Sequence, residues 1–167
     1  QTGLDGRGIG VAVLDTGVDY NHPEFAGRII KGPNYSFRAK DATDKAAPGA
    51  KAIPEPKGAD DPLDDFGHGT HCAGIIAAGA DGKGVVGVAP KVQIMAIKVL
   101  GAQGGGATYD IAQGIHYAYT HGAKVINLSL GGSSSNGLVE MLVADARAHG
   151  TLVVAAAGNN GWNLDGP

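Results

Sequence analysis

Asp15, His68 and Asn159 are the side chains whose types and settings suit acid–base and anion-stabilising chemistry. His68 lies in Asp65-Phe66-Gly67-His68-Gly69-Thr70-His71-Cys72-Ala73-Gly74, between two glycines that leave the imidazole uncrowded. An imidazole so placed is open to a substrate or a neighbouring hydroxyl, which suits a general base. Asp15 closes the apolar run Val11-Ala12-Val13-Leu14 and is followed by Thr16-Gly17. Capping a turn is the plain reading of such an aspartate. Beside an imidazole it would instead fix the ring's tautomer and stabilise the imidazolium formed during proton transfer. Asn159 follows Val153-Val154-Ala155-Ala156-Ala157-Gly158. It reads either as a turn asparagine or as an amide that stabilises a developing oxyanion. His68 and His71 also raise zinc, but a helical zinc pair usually has i, i+4 spacing and needs a third ligand. His71 is therefore read as an ordinary histidine. Cys72, the single cysteine, excludes a disulfide within the chain and reads as an inert core filler.

These residues need rigid elements behind them. Four apolar runs at 9–14, 92–99, 124–128 and 151–156 predict buried strands. Residues 34–37 read as a further short strand. Ile111, Ile115, Ala118 and Tyr119 form one stripe of an amphipathic helix ending near His121-Gly122. Leu138, Leu142 and Asp145, widened by Met141 and Ala146, mark a second that ends at His149-Gly150. Cys72, Ile75 and Ile76 form the predicted inner face of a third, running from near His68 to Gly79. Strand–helix alternation with wholly apolar strands predicts an α/β fold: a mostly parallel sheet with helices on both faces. Sites in such sheets gather beyond the carboxyl ends of the strands, where Asp15 and Asn159 both fall.

Composition bounds the rest. A chain of 167 residues, 43% apolar and 17% charged, fits one globular domain. A net charge of −3 without a basic cluster argues against a nucleic-acid partner. No apolar run reaches membrane-spanning length. Gln1 begins almost directly at structured sequence and reads as a processed mature terminus. Residues 32–62 carry Pro33, Pro48, Pro54, Pro56 and Pro62 interleaved with Asp41, Asp44, Asp60 and Asp61, and read as a long surface loop. The glycines of Asp5-Gly6-Arg7-Gly8-Ile9-Gly10 precede a strand instead of following one, which discounts a dinucleotide fingerprint.

Taken together, the blocks resemble the subtilisin-like serine peptidases (subtilases). The resemblance is carried by Asp15-Thr16-Gly17-Val18-Asp19 with His22-Pro23-Glu24-Phe25, by His68-Gly69-Thr70-His71-Cys72-Ala73-Gly74, and by Gly84-Val85-Val86-Gly87-Val88-Ala89-Pro90. It continues through Lys98-Val99-Leu100, Ile126-Asn127-Leu128-Ser129-Leu130-Gly131 and Ala155-Ala156-Ala157-Gly158-Asn159. It implies a subtilisin-like three-layer sandwich, incomplete in this chain. Residues 1–167 would be the N-terminal portion of one peptidase domain, with a loop insertion at about 38–62 that is longer and more acidic than in compact members. By the same resemblance Asp15 orients His68, His68 serves as base and then acid, and Asn159 is the oxyanion donor.

The resemblance further implies extended peptide substrates, paired through Gly104, Gly105 and Gly106 by strand addition. Three successive glycines suggest a mobile, accommodating edge. Ser129, Leu130 and Gly131 would form one wall of the primary pocket and Ala156, Ala157 and Gly158 the other. With no acidic group on either wall, large apolar side chains are expected there. Residues 78–85 resemble a loop that wraps structural Ca2+, with Asp81 and Glu24 as side-chain ligands. Secretion and an inhibitory propeptide in the precursor are also implied. No serine block of the Gly-Thr-Ser-Met type is present, and Ser36, Ser129, Ser133, Ser134 and Ser135 do not follow the oxyanion residue at a strand-to-helix turn. The expectation is a serine endopeptidase whose nucleophile comes from a separate or missing C-terminal segment. The alternative is an inactive peptide-binding fragment or pseudopeptidase.

Overall fold

The computed structural model describes residues 3–37, 57–132 and 135–161. Most of the 38–62 insertion, together with Ser133 and Ser134, lies outside the described residues. Five strands, β1 (Gly10–Asp15), β2 (Ile29–Asn34), β3 (Gln93–Lys98), β4 (Val125–Leu128) and β5 (Leu152–Ala155), pair in parallel in the order β2-β3-β1-β4-β5. Three α-helices accompany them: α1 (His68–Ala77), α2 (Thr108–Thr120) and α3 (Gly137–Ala148). The fold is α/β, as the alternation of patterns predicts.

Both faces of β1 are covered. Ala12 and Leu14 enter the core shared with α2 and α3, while Val11 and Val13 enter the core under α1. This is why the strands read as unbroken apolar runs. Ile94, Ile97, Ile115 and Ile126 are fully buried, and each such side chain contributes about 1.5–3 kcal/mol. α2 and α3 end as the glycines predict. Gly122 and Gly150 adopt φ of +87° and +76°. The following N–H groups, of Ala123 and Thr151, return to Ala118 O and Ala146 O at 3.0 Å, the closed cap that a left-handed glycine permits.

Four expectations need correction. The fifth strand is Ile29–Asn34, with no strand at 34–37. It is a sheet edge whose pairing with β3 shifts register between Lys31 and Asn34, where Gly32-Pro33 disrupts the ladder as proline does at edges. Ile75 does not face inward: it is 56% exposed, and Gly69, Ala73 and Ala77 are the buried residues of α1. Met141 is likewise exposed on α3, where Ala146 is the buried residue. β5 is apolar yet open. Val153 packs on the α2/α3 core, but Leu152 and Val154, in register with Val125 and Asn127, are 60% and 46% exposed.

Candidate active site

Strand alternation decides where Asp15 points. It shares the parity of Val11 and Val13, so its carboxyl leaves β1 on the α1 side. There His68, the first residue of α1, places Nδ1 2.7 Å from Asp15 Oδ1. Oδ1 also accepts the Thr16 N–H at 2.7 Å. Asp15 is fully buried, whereas the His68 side chain is 43% exposed. Among the described residues the other ring nitrogen of His68 is unengaged. The pair thus has a buried acid, an oriented imidazole and an open outer face.

The glycines around His68 have a tighter reason than uncrowding. Gly67 sits at φ +106°, a conformation that side chains resist. At Gly69 a Cβ would lie 2.1 Å from Gly17 O and 3.0 Å from Asp15 Cβ. The first turn of α1 is therefore pressed against the end of β1, which sets the short carboxylate–imidazole distance.

A second carboxylate locks that turn in place. Asp64 Oδ1 accepts the Thr16 hydroxyl at 2.8 Å and the N–H groups of Phe66 at 3.0 Å and Gly67 at 2.8 Å. Its Oδ2 accepts the Thr70 N–H at 2.9 Å and the Thr70 hydroxyl. Thr16 Oγ1 in turn accepts the Gly69 N–H at 2.9 Å. Helix-terminal N–H groups without intrahelical partners are thereby satisfied, and the anion sits at the favourable end of the helix dipole.

Burial alone would raise the Asp64 carboxyl, but these hydrogen bonds, led by the Thr70 hydroxyl, outweigh it and hold the group below its ordinary value of 3.8. A lowered folded value means that ionised Asp64 stabilises the fold fully above its unfolded value. That contribution is lost as pH falls through the folded value. Asp64→Asn is expected to destabilise by roughly 1–3 kcal/mol at neutral pH, with the gap to the parent narrowing below about pH 4. Thermal melts at both pH values check this; an undiminished gap in acid would remove the carboxylate from the account.

Behind the pair lies a buried ion pair. Lys98, in register with Asp15, is 2% exposed and donates from Nζ to Asp65 Oδ1 at 2.6 Å, to Leu100 O at 2.9 Å and to Thr16 O. Losing one partner would strand an uncompensated buried charge. The pair ties the segment before His68 to β3 and to the turn after Asp15. Sequence reasoning missed Asp64, Thr16, Thr70 and the Asp65–Lys98 pairing. One signal was present: a lysine near the end of the otherwise apolar run Ile94-Met95-Ala96-Ile97-Lys98-Val99.

The other expected residues distribute as follows. Ser129, Leu130 and Gly131 follow β4, and Ala156, Ala157, Gly158 and Asn159 follow β5, all on the carboxyl edge that bears Asp15. Ala156 through Asn159 are exposed. Ser129 Oγ accepts from Asn127 Nδ2 at 2.9 Å. Gly101 N–H donates to Gly105 O at 2.8 Å, closing a turn around Gly104. A Cβ on Gly104 would meet the Phe66 ring at 3.2 Å, and one on Gly106 would meet Val99 O at 2.4 Å. Only Gly105 of the three has open space around it: Gly104 is required by its φ of +74° and Gly106 by the close approach of Val99 O.

Cys72 packs against the α1 core but is only half-buried. Burial foremost, and then the Asp15 carboxylate, push its thiol up, against a lowering contact from Ser129. His71 is exposed. At the predicted calcium loop, Glu24 Oε2 accepts the Gly79 N–H at 2.9 Å, and a Cβ on Gly84 would lie 3.6 Å from Oε1. The carboxylate is thus turned into the loop, while exposed Asp81 accepts the Lys83 N–H at 3.0 Å. Arg28 donates to Ala77 O at 2.6 Å and to Glu24 O alongside. Glu24 Oε1 carries no hydrogen bond among the described residues, so one carboxylate oxygen faces the loop.

Residues 6–167 match the Subtilase family of peptidases. The chain belongs to that family. It is 42% identical to thermitase of Thermoactinomyces vulgaris over 158 residues, covering 94% of this chain and 50% of thermitase. It is 44% identical to subtilisin BL of Lederbergia lenta over 159 residues, covering 95% of this chain and 51% of that protein. The solved structure of sphericase matches with a TM-score of 0.76 at 36% identity, over 98% of this chain and 50% of that one. The chain therefore spans about half the length of these relatives. Among the described residues no helix is long and apolar enough to cross a membrane.

Proposed function

We propose that this chain supplies the acid, base and oxyanion donor of a serine endopeptidase, and that a segment outside these residues brings the nucleophilic hydroxyl. The observation that carries this reading is the 2.7 Å contact between fully buried Asp15 and half-exposed His68. Asp15 holds His68 as the tautomer protonated at Nδ1, leaving Nε2 as the acceptor on the open side. A serine hydroxyl arriving there loses its proton to Nε2 as oxygen attacks the peptide carbonyl. The imidazolium then returns that proton to the leaving amine. Asn159, at the same sheet edge, donates its amide to the oxyanion.

Two features support the source of the hydroxyl. Among the described residues no serine is bonded to His68, and Ser129 is engaged with Asn127. β5 also leaves its outer edge and the side of Leu152 and Val154 open, a seat for further sheet and helix. Substrate lies extended between the 104–106 turn and the 129–131 strand end, with an apolar side chain between walls of Ser129, Leu130, Gly131, Ala156, Ala157 and Gly158. Cleavage confined to lysine or arginine would contradict that pocket. Structural calcium on Glu24 and Asp81 belongs to the same proposal; a chelator that leaves Tm unchanged would remove it.

A fluorophosphonate probe tests the whole reading. In the full-length protein it is expected to label one serine outside residues 1–167. Asn159→Ala should slow catalysis about 10²–10³-fold, the scale measured for such a donor in a subtilisin, a relative of this chain. A full-length protein that binds peptides but is never labelled would be a binding module instead.

A further inference from the structure

Two asparagines of the chain precede a glycine, in Asn136-Gly137 and Asn160-Gly161. Such a pair carries its own chemistry. Glycine has no Cβ, so its main-chain nitrogen is open to the amide carbon of the side chain before it. The structure sets the two pairs in opposite situations. Asn136 is the N-cap of α3, and its Oδ1 accepts the N–H groups of Leu138 at 3.1 Å and Val139 at 3.3 Å. Attack by the Gly137 nitrogen on that amide must first release the cap. Asn160 is exposed at a bend, and among the described residues neither its amide nor the Gly161 N–H has a hydrogen-bond partner. Gly158 and Gly161, at φ of +88° and +68°, bracket Asn159 and Asn160. A Cβ built on either glycine would meet nothing within 4 Å. Among the described residues, then, no hydrogen bond holds the Asn160 amide away from the nitrogen that follows it.

We propose that Asn160 is a site of spontaneous deamidation beside the oxyanion residue, while Asn136 keeps its amide. The Gly161 nitrogen, having given its proton to hydroxide, attacks Asn160 Cγ. A carbon–nitrogen bond forms there, the Cγ–Nδ2 bond breaks, and Nδ2 leaves as ammonia with a proton from water. Water then opens the cyclic imide. Breaking nitrogen from Cγ gives aspartate with the main chain as before. Breaking it from the main-chain carbonyl gives isoaspartate, with the chain rerouted through Cγ. No oxidant or reductant enters: water goes in and ammonia comes out.

The position gives the change a consequence. Asn160 closely follows the expected pocket wall at 156–158, a surface that substrate must reach, so water reaches it too. Either product puts a carboxylate next to Asn159, where it opposes the negative charge that the oxyanion donor stabilises. Isoaspartate also lengthens the main chain by a carbon immediately after Asn159. A displacement on the order of 1 Å at such a group can cost roughly a hundredfold in rate. The loss of turnover rests on the peptidase reading; the modification does not.

The test incubates the full-length protein and an Asn160→Ser variant at mildly alkaline and mildly acidic pH. Peptide mass spectrometry follows each asparagine, an isoaspartyl methyltransferase labels the rearranged product, and a portion treated with fluorophosphonate guards against self-cleavage. Asn160 is expected to convert roughly tenfold faster than Asn136, the factor set by release of the cap. Conversion should be faster in base and yield isoaspartate among its products. Where peptide hydrolysis is present, activity should fall in step with conversion in the parent and hold in Asn160→Ser. An Asn160 that stays an amide, or converts no faster than Asn136, overturns the proposal. Activity that holds despite full conversion strikes out the catalytic consequence. Conversion in a protein that no fluorophosphonate labels keeps the site and discards the peptidase reading. A labelled protein whose Asn160 stays intact does the reverse.

Discussion

On the proposed function, His68→Ala in the full-length protein is expected to lower kcat about 10⁶-fold with KM changed little, the scale found for the equivalent loss in a subtilisin, a relative. The size follows from what the residue does at this site. Among the described residues it is the one side chain with a nitrogen on the acid and another open to an incoming hydroxyl, so its removal abolishes both proton transfers at once. Stability should move little in comparison. The ring is 43% exposed, the N-terminus of α1 is held by Asp64 and Thr16 through backbone N–H groups, and alanine is a good helix former. Initial rates on a chromogenic peptide with a large apolar side chain, paired with a thermal melt, make the check. A loss below about a hundredfold would leave His68 outside the proton transfer.

The contrast between that imidazole and its supports explains what could be read from sequence. Asp15 and His68 could be paired from sequence because one ends β1 and the other begins α1, and parallel α/β sheets bring such ends to one edge; Asn159 lies in the segment after β5, and its role is a proposal. The buried strands were legible for the same local reason, since residues covered on both faces must be apolar without interruption. β2 was not, because it is an edge strand whose Gly32-Pro33 interrupts the pattern. Ile75 and Met141 were misplaced because helical spacing shows which residues share a face, not what covers that face.

The network beneath the histidine was harder still. Thr16 reaches Asp64 across 48 residues, and Lys98 reaches Asp65 across 33. No local period records such pairings, because each partner taken alone looks like a polar loop residue or a surface lysine. The glycines show the same limit in reverse. Gly69 announces an uncluttered histidine in the sequence, yet the structure gives it a steric role against Gly17. Sequence pointed to the Asp15–His68 pair; only packing reveals what fixes the distance between the two side chains.

Asp15→Asn separates the two contributions a buried acid can make. An amide keeps the shape of the carboxylate and can still lie against His68 Nδ1. It offers that nitrogen either an N–H donor or a neutral oxygen in place of an anion. In the first case the ring is driven to the tautomer protonated at Nε2, which cannot act as base; in the second the imidazolium loses its counter-charge. The expected fall in kcat is about 10⁴-fold, as for the corresponding change in a trypsin-like triad. Adding His68→Ala should lower it no further than His68→Ala alone, since residues of one proton-transfer unit are not additive. Stability should move the other way. The carboxylate is fully buried, and its Oδ2 has no hydrogen-bond partner among the described residues, so removing the charge relieves a desolvation penalty. Asp15→Asn is therefore expected to match or exceed the parent Tm while losing nearly all turnover. A variant that melts several degrees lower would make Asp15 a structural acid, fixed by its bond to the Thr16 N–H more than by any service to His68.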